Sequence, residues 1–283
     1  MKPLVQTLLL ACFILFNSCD QDEEGSKPIA DFEVIVSGEA PEAVVTLINK
    51  STNEQACSWS YSNGFLFTLI SSGTGSGCES PINLDVDKAG EFHIYLNVSK
   101  GSDTSSKCLT VNIPGSSPVE TYQNIEFGLP GGEHGVGRFF SFNMDQMFKD
   151  GDIALDTIGS SIDLAFTSHE DNKYYFLSPD AEEFDIAGAT MTKIDNTASI
   201  DQMTVAEFDA MNDDKKLSLL DIENTNEYFE IGSIPGIVLF ELSSGRRGVI
   251  KTKEINDDRL LVDIKIQKYA GEPLLQGCFA ESD

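Results

Sequence analysis

The sequence predicts a mainly β chain: a two-sheet β-sandwich first, then an α+β domain with an antiparallel sheet and two or three short helices. Three observations lead there. Short apolar-alternating runs separated by turn-forming residues extend from Pro28 to about Pro114. The sole tryptophan, Trp59, lies in the middle of them, as a core residue between two sheets would. Near the C-terminal end Val262, Ile264 and Ile266 alternate with Asp263, Lys265 and Gln267. Successive strand residues face opposite sides, so a period of two marks a strand with one buried face.

Composition sets the outer bounds. At 283 residues with 41% hydrophobic content, the chain buries a real core, so global disorder is excluded. The 19 Lys and Arg stand against 46 Asp and Glu, a formal charge of −27. A surface that acidic repels polyphosphate, so no nucleic-acid partner is expected.

Residues 1–18 read as a signal peptide. Lys2 supplies the positive start, and the apolar run from Leu4 to Phe16 is too short for a bilayer, which needs ~20 apolar residues. Leu15-Phe16-Asn17-Ser18-Cys19 resembles a bacterial lipobox, which implies that Cys19 is lipidated and becomes the N-terminus. The acidic tether, residues 19–27, resembles the surface-export signal of Bacteroidota lipoproteins. The expected address is therefore the outer membrane, cell-surface exposed, with the membrane as a partner through the lipid. Cys57, Cys78, Cys108 and Cys278 remain for an oxidising compartment, where four cysteines allow three pairings. At most one local pair is expected among the first three, with Cys278 unpaired or closing onto its own domain.

In residues 28–114 the strands carry a resemblance. Pro28-Ile29-Ala30-Asp31-Phe32 is similar to the P-x-A-x-F opening of PKD domains, an Ig-like β-sandwich family of extracellular proteins. Val44 to Thr52 matches the second strand and turn of that family. Trp59 to Gly64 stands at its W-D-F-G-D-G, and Lys88 to Val98 at its A-G-x-Y-x-V-x-L-x-V. Ser60, Ser62 and Asn63 replace the family's acids and glycine, so a cation in that loop does not carry over. The run Phe65 to Ile70 is expected as one more buried strand, the alternative being an exposed aromatic contact edge around Phe65 and Phe67. PKD domains act as spacers or contact modules, so the resemblance implies presentation, not chemistry.

Residues 115–118 read as a linker, and residues 119–283 as the α+β domain. Strands are expected at Tyr122–Phe127, Arg138–Phe142, Ile162–Phe166 and Lys173–Leu177, and one helical turn at Asn143–Lys149. Thr204 with Glu207 three residues on forms a capping box that starts a helix to about Met211. Asp213 to Ile222 reads as a second helix. Gly236–Leu242, Arg247–Thr252 and Leu260–Tyr269 read as a meander whose sheet keeps one face wet. In order, Gly137-Arg138-Phe139-Phe140-Ser141, Tyr175-Phe176-Leu177-Ser178-Pro179 and Gly245 to Lys251 resemble a C-terminal domain of Bacteroidota surface lipoproteins, without a catalytic pattern.

No nucleophile elbow, Walker sequence or HExxH occurs, and His93, His134 and His169 lie far apart. No enzyme and no cofactor are expected. Asp85/Asp87, Asp150/Asp152 and Asp213/Asp214 are the carboxylate pairs open to a structural calcium, since calcium takes hard oxygen ligands. Asp156-Thr157-Ile158 matches a Bacteroidota O-glycosylation pattern, with Thr157 as acceptor. Sugars stack on flat rings, and Tyr174 and Tyr175 occupy adjacent strand positions, so one of them faces outward. Tyr174, Tyr175, His134 and Arg138 are the ligand-contact candidates. The expected function is a lipid-anchored surface protein displaying a non-catalytic module for a glycan or an envelope protein. Alternatives are a hydrolase centred on Glu133, His134 and Arg138, and a structural subunit of a surface assembly.

Overall fold

The structure, a computed structural model, describes residues 26–62, 67–74, 80–129, 135–153, 158–169, 173–198, 201–225, 227–256, 259–270 and 278. It is mainly β, with several open antiparallel sheets and no barrel. The calls on Cys19, Glu133, His134 and Thr157 fall outside the described residues.

The first seven strands are β1 (Phe32–Ser37), β2 (Ala43–Asn49), β3 (Ala56–Ser62), β4 (Phe67–Thr74), β5 (Ile82–Val86), β6 (Gly90–Lys100) and β7 (Asp103–Ile113). They form a three-stranded sheet in the order β1-β2-β5 and a four-stranded sheet in the order β4-β3-β6-β7. Both sheets supply one apolar cluster: Phe32, Val45 and Leu47 from the first, Cys57, Trp59, Ile94 and Leu96 from the second. Trp59 is 1% exposed and meets Phe32 edge to face at 5.1 Å. The described part of the run Phe65–Ile70 does form a strand, in the edge strand β4, where Leu69 is 64% exposed and Ile70 packs against the cluster; Phe65 and Leu66 lie outside the described residues.

Among the described residues nine further strands follow: β8 (Val119–Gly128), β9 (Phe139–Ser141), β10 (Gln146–Phe148), β11 (Leu164–His169), β12 (Lys173–Leu177), β13 (Lys193–Asp195), β14 (Ile237–Glu241), β15 (Arg247–Ile255) and β16 (Arg259–Gln267). They pair as β10-β9-β11-β12 and as β13-β14-β15-β16-β8. Asn143–Lys149, read as a helical turn, is instead a turn leading into β10, which pairs with β9. Among the described residues, no strand of β1–β7 pairs with one of β8–β16.

The strand sequences explain the layering. Val238 and Phe240 point into the cluster between the two sheets, while Ile237 and Leu239 point to the opposite face, so β14 reads as one continuous apolar run. Between the sheets lies a set of aromatic rings. Phe127 is fully buried and has the rings of Phe140, Phe166 and Phe176 at 6.4, 5.9 and 5.1 Å. Gly248 makes room for one of these rings, since a Cβ there would fall 2.2 Å from Phe240 Cζ.

The outer face of the five-stranded sheet is wet only in part. The helix α1 (Val205–Ala210) covers part of it, started by the predicted capping box between Thr204 and Glu207. The Lys265 ammonium donates to the carbonyls of Phe208 at 2.8 Å and Met211 at 2.6 Å, where a cation offsets the negative end of the helix. Asp213 to Ile222 does not form a second helix; it holds a single 3-10 turn, Leu217–Leu219, with Leu217, Leu220 and Ile222 buried. Gln267 is 4% exposed beneath this segment. Alternating polar residues signal a polar neighbour, and here that neighbour is protein rather than water. Burial disfavours the Asp263 carboxylate, but the Asn124 amide and the Lys253 and Lys251 ammoniums outweigh it and hold its pKa below the ordinary value.

Cys278 is neither unpaired nor closed on its own domain: it is bonded to Cys108 on β7, across 170 residues of sequence. Cys57 is disulfide-bonded as well. After β5, Asp87 accepts from Lys268 Nζ and from the Tyr269 hydroxyl, both at 2.6 Å.

Candidate functional site

On the outer face of β11 and β12, the register sets His169 opposite Lys173 and Thr167 opposite Tyr175. Alternation along β12 divides the tyrosine pair. Tyr174 turns inward, 7% exposed, against Phe229 and the central cluster, so it is not a ligand contact. Tyr175 turns outward and is half-buried. Burial, followed by the nearby Glu183 carboxylate, raises the pKa of its hydroxyl.

Two loops complete the surroundings of Tyr175. The segment after β12 brings in Glu183, whose carboxylate accepts a hydrogen bond from Thr167 Oγ1 at 3.2 Å. The chain around Phe229 bonds to the outer edge of β12, with the Tyr174 and Phe229 amides donating to each other's carbonyls at 3.0 and 2.9 Å. That bridge sets Glu227 and Tyr228 at the rim. Glu227 accepts a hydrogen bond from Thr197 Oγ1. Tyr228 is 40% exposed, and the Lys173 ammonium lies 4.6 Å from its ring centre. His169, Lys173, Tyr175, Glu183, Glu227 and Tyr228 thus line a cleft of about 320 Å³.

Arg138 is placed differently from the expectation. Its guanidinium is paired with Asp150 and lies 5.0 and 5.1 Å from the rings of Phe139 and Phe184. Those contacts use its Nε and Nη2 donors and set its flat face against the two rings. His93 is 3% exposed, with Nδ1 3.0 Å from Thr110 Oγ1.

Asp87, Asp150, Asp152, Asp213 and Asp214, considered for calcium, have protein partners. Asp87 holds Lys268 and Tyr269, Asp150 holds Arg138, and Asp152 accepts from the Lys149 amide. Asp213 accepts from the Lys215 amide, and Asp214 from the Ser117 amide at 2.8 Å. Among the described residues no group of three or more His, Cys, Asp or Glu is placed to hold a metal.

Two carboxyls have pKa values above the ordinary one. Asp214 lines a cleft of about 720 Å³ at the junction of the two halves. Burial raises its pKa, while Ser117 and Gln267 supply donors to both its oxygens. Asp163 is raised chiefly by burial, against the opposing Phe142 amide, which donates to Oδ2 at 2.7 Å, and Arg246. A carboxyl raised in the folded state favours the fold most when protonated, and that contribution is lost as pH rises through the folded value. Asp163→Asn keeps an acceptor for Phe142 without the buried charge. Its unfolding midpoint at pH 7 is expected to match or exceed that of the parent, with the advantage vanishing on acidification. Midpoints measured across pH for both proteins check this.

Glu183, Glu227 and Lys173 were not among the site residues expected from sequence. The carboxylates arrive through a loop and a bridge, neither of which leaves a periodic signal. Among the described residues no helix is long and apolar enough to cross a membrane.

No protein-family model and no curated protein matches the chain. Solved structures similar to it include a DUF4466 family protein from Parabacteroides merdae, 13% identical with a TM-score of 0.40, over 86% of this chain and 99% of that one. The PKD1 domain of Epp from Vibrio anguillarum is 17% identical with a TM-score of 0.23, over 32% of this chain and 98% of that one. The PKD1 domain of the metalloprotease PrtV from Vibrio cholerae is 19% identical with a TM-score of 0.23, over 32% of this chain and all of that one.

Proposed function

We propose that the chain is a lipid-anchored protein of the bacterial outer surface whose C-terminal half binds a glycan without transforming it. In this reading Cys19 holds the membrane, residues 19–27 are the tether, and residues 28–114 form a PKD-like Ig-type sandwich that lifts the binding half away from it. Residues 119–283 are then the binding domain. The observation supporting the glycan is the composition of the Tyr175 cleft. It joins two tyrosine rings to two carboxylates, each bonded to a threonine hydroxyl. Rings give a sugar an apolar face to lie on, and a few placed polar groups fix its orientation.

The test is retention of the protein on a panel of immobilised polysaccharides, with and without calcium. Selective retention on one or a few is the expected result; uniform failure to bind would refute the glycan. For the anchor, an alkyne palmitate analogue fed to cells is expected to label the parent chain and not Cys19→Ala. Equal labelling of both would remove Cys19 from the account.

A further inference from the structure

We infer that the binding site extends beyond the Tyr175 cleft, over Tyr228 and into a second cleft, and that its ligand is a neutral oligosaccharide chain rather than one sugar or an acidic polymer. This rests on the glycan reading above and specifies its ligand.

Tyr228 is a wall common to both clefts. The second cleft, about 260 Å³, lies among Asn196, Thr197, Ser233, Gly236 and Thr252. Thr197 also joins the two sides directly, because its hydroxyl donates to Glu227 on the rim of the first cleft. A volume of about 320 Å³ is at the bottom of the ~300–1,000 Å³ range typical of ligand sites, and one of about 260 Å³ is below it. Each alone suits something small; side by side they suit a chain that crosses the tyrosine.

The chemistry of the two clefts differs in a way that limits this chain. Among the described residues no charged side chain lines the second cleft, which they wall with hydroxyl, amide and apolar groups. In the first, Lys173 and His169 stand beside Glu183 and Glu227, and Lys173 is already placed over Tyr228. With no cation to meet a carboxylate or sulfate in the second cleft, and a formal charge of −27 on the whole chain, a polyanion is repelled. Hydroxyl-rich neutral units fit carboxylates as acceptors in one cleft and small polar groups in the other.

The full chain would be titrated calorimetrically with neutral gluco- and manno-oligosaccharides of increasing length, beginning at the single sugar, and with polygalacturonate. Affinity is expected to rise about tenfold or more from the single sugar to the longer chains of the preferred series, then level off. Ser233→Trp, which fills the second cleft, is expected to flatten that rise. Equal affinity at every length overturns the extended site while leaving the Tyr175 cleft as a one-sugar site, and so does a rise that Ser233→Trp leaves intact. Tighter binding of polygalacturonate overturns the neutral ligand. Failure of every neutral sugar to bind overturns the neutral ligand, while the glycan reading itself falls only if the whole polysaccharide panel fails. Should Ser233→Trp fail to fold, the length series on the parent chain decides the question alone.

Discussion

Phe127→Ala is expected to lower the stability of the C-terminal half by about 3–5 kcal/mol, the usual result of emptying a fully buried aromatic site. Phe127 is 0% exposed, and three rings of the facing sheet lie around it. The ring belongs to β8, the edge strand of the five-stranded sheet, yet it reaches Phe140, Phe166 and Phe176 on the four-stranded one. Its loss therefore opens a void between the sheets as well as removing apolar contact. Domains of this kind are stable by only ~5–15 kcal/mol, so the change is a large share of the total. Chemical denaturation of parent and variant measures it; a difference below about 1 kcal/mol would mean that the sheets do not depend on these rings.

The second large effect is expected where the two halves meet. Cys108→Ser with Cys278→Ser removes a cross-link spanning 170 residues, and the loss of native disulfides typically costs about 2–5 kcal/mol. The polar contacts of Asp87 with the C-terminal half are weaker. The ion pair of Asp87 and Lys268 is half-exposed on both sides, and such pairs contribute about 0–1 kcal/mol. Asp87→Asn is accordingly expected to have a small effect, and the double serine variant a large one. Thermal unfolding under non-reducing conditions compares the two directly. If the aspartate variant were the more damaging, the polar contacts and not the disulfide would be the main tie.

Several elements were legible in the residues. The β12 span, the three strands of the meander and the capping box at Thr204 all follow from local rules of alternation and capping. What local rules missed were relations between distant segments. Asp263, Lys265 and Gln267 show the same alternation whether water or a helix lies over them. Cys278 gives no sign in sequence that its partner is 170 residues away. In the site, the outward tyrosine followed from strand geometry, but which of the pair it was depended on the register with β11. Glu227 enters only because the chain before Phe229 bonds to the edge of β12. Arg138, isolated in sequence beside a glycine-rich loop, proved to be held by Asp150 and two rings.

Calorimetric titration of the polysaccharide best retained by the parent chain, repeated on Tyr175→Ala, bears most directly on the site. A central aromatic contact of this kind usually dominates binding, so affinity is expected to fall about tenfold or more while the unfolding midpoint shows the variant still folded. Unchanged affinity in a folded Tyr175→Ala protein would place the binding surface elsewhere on the molecule.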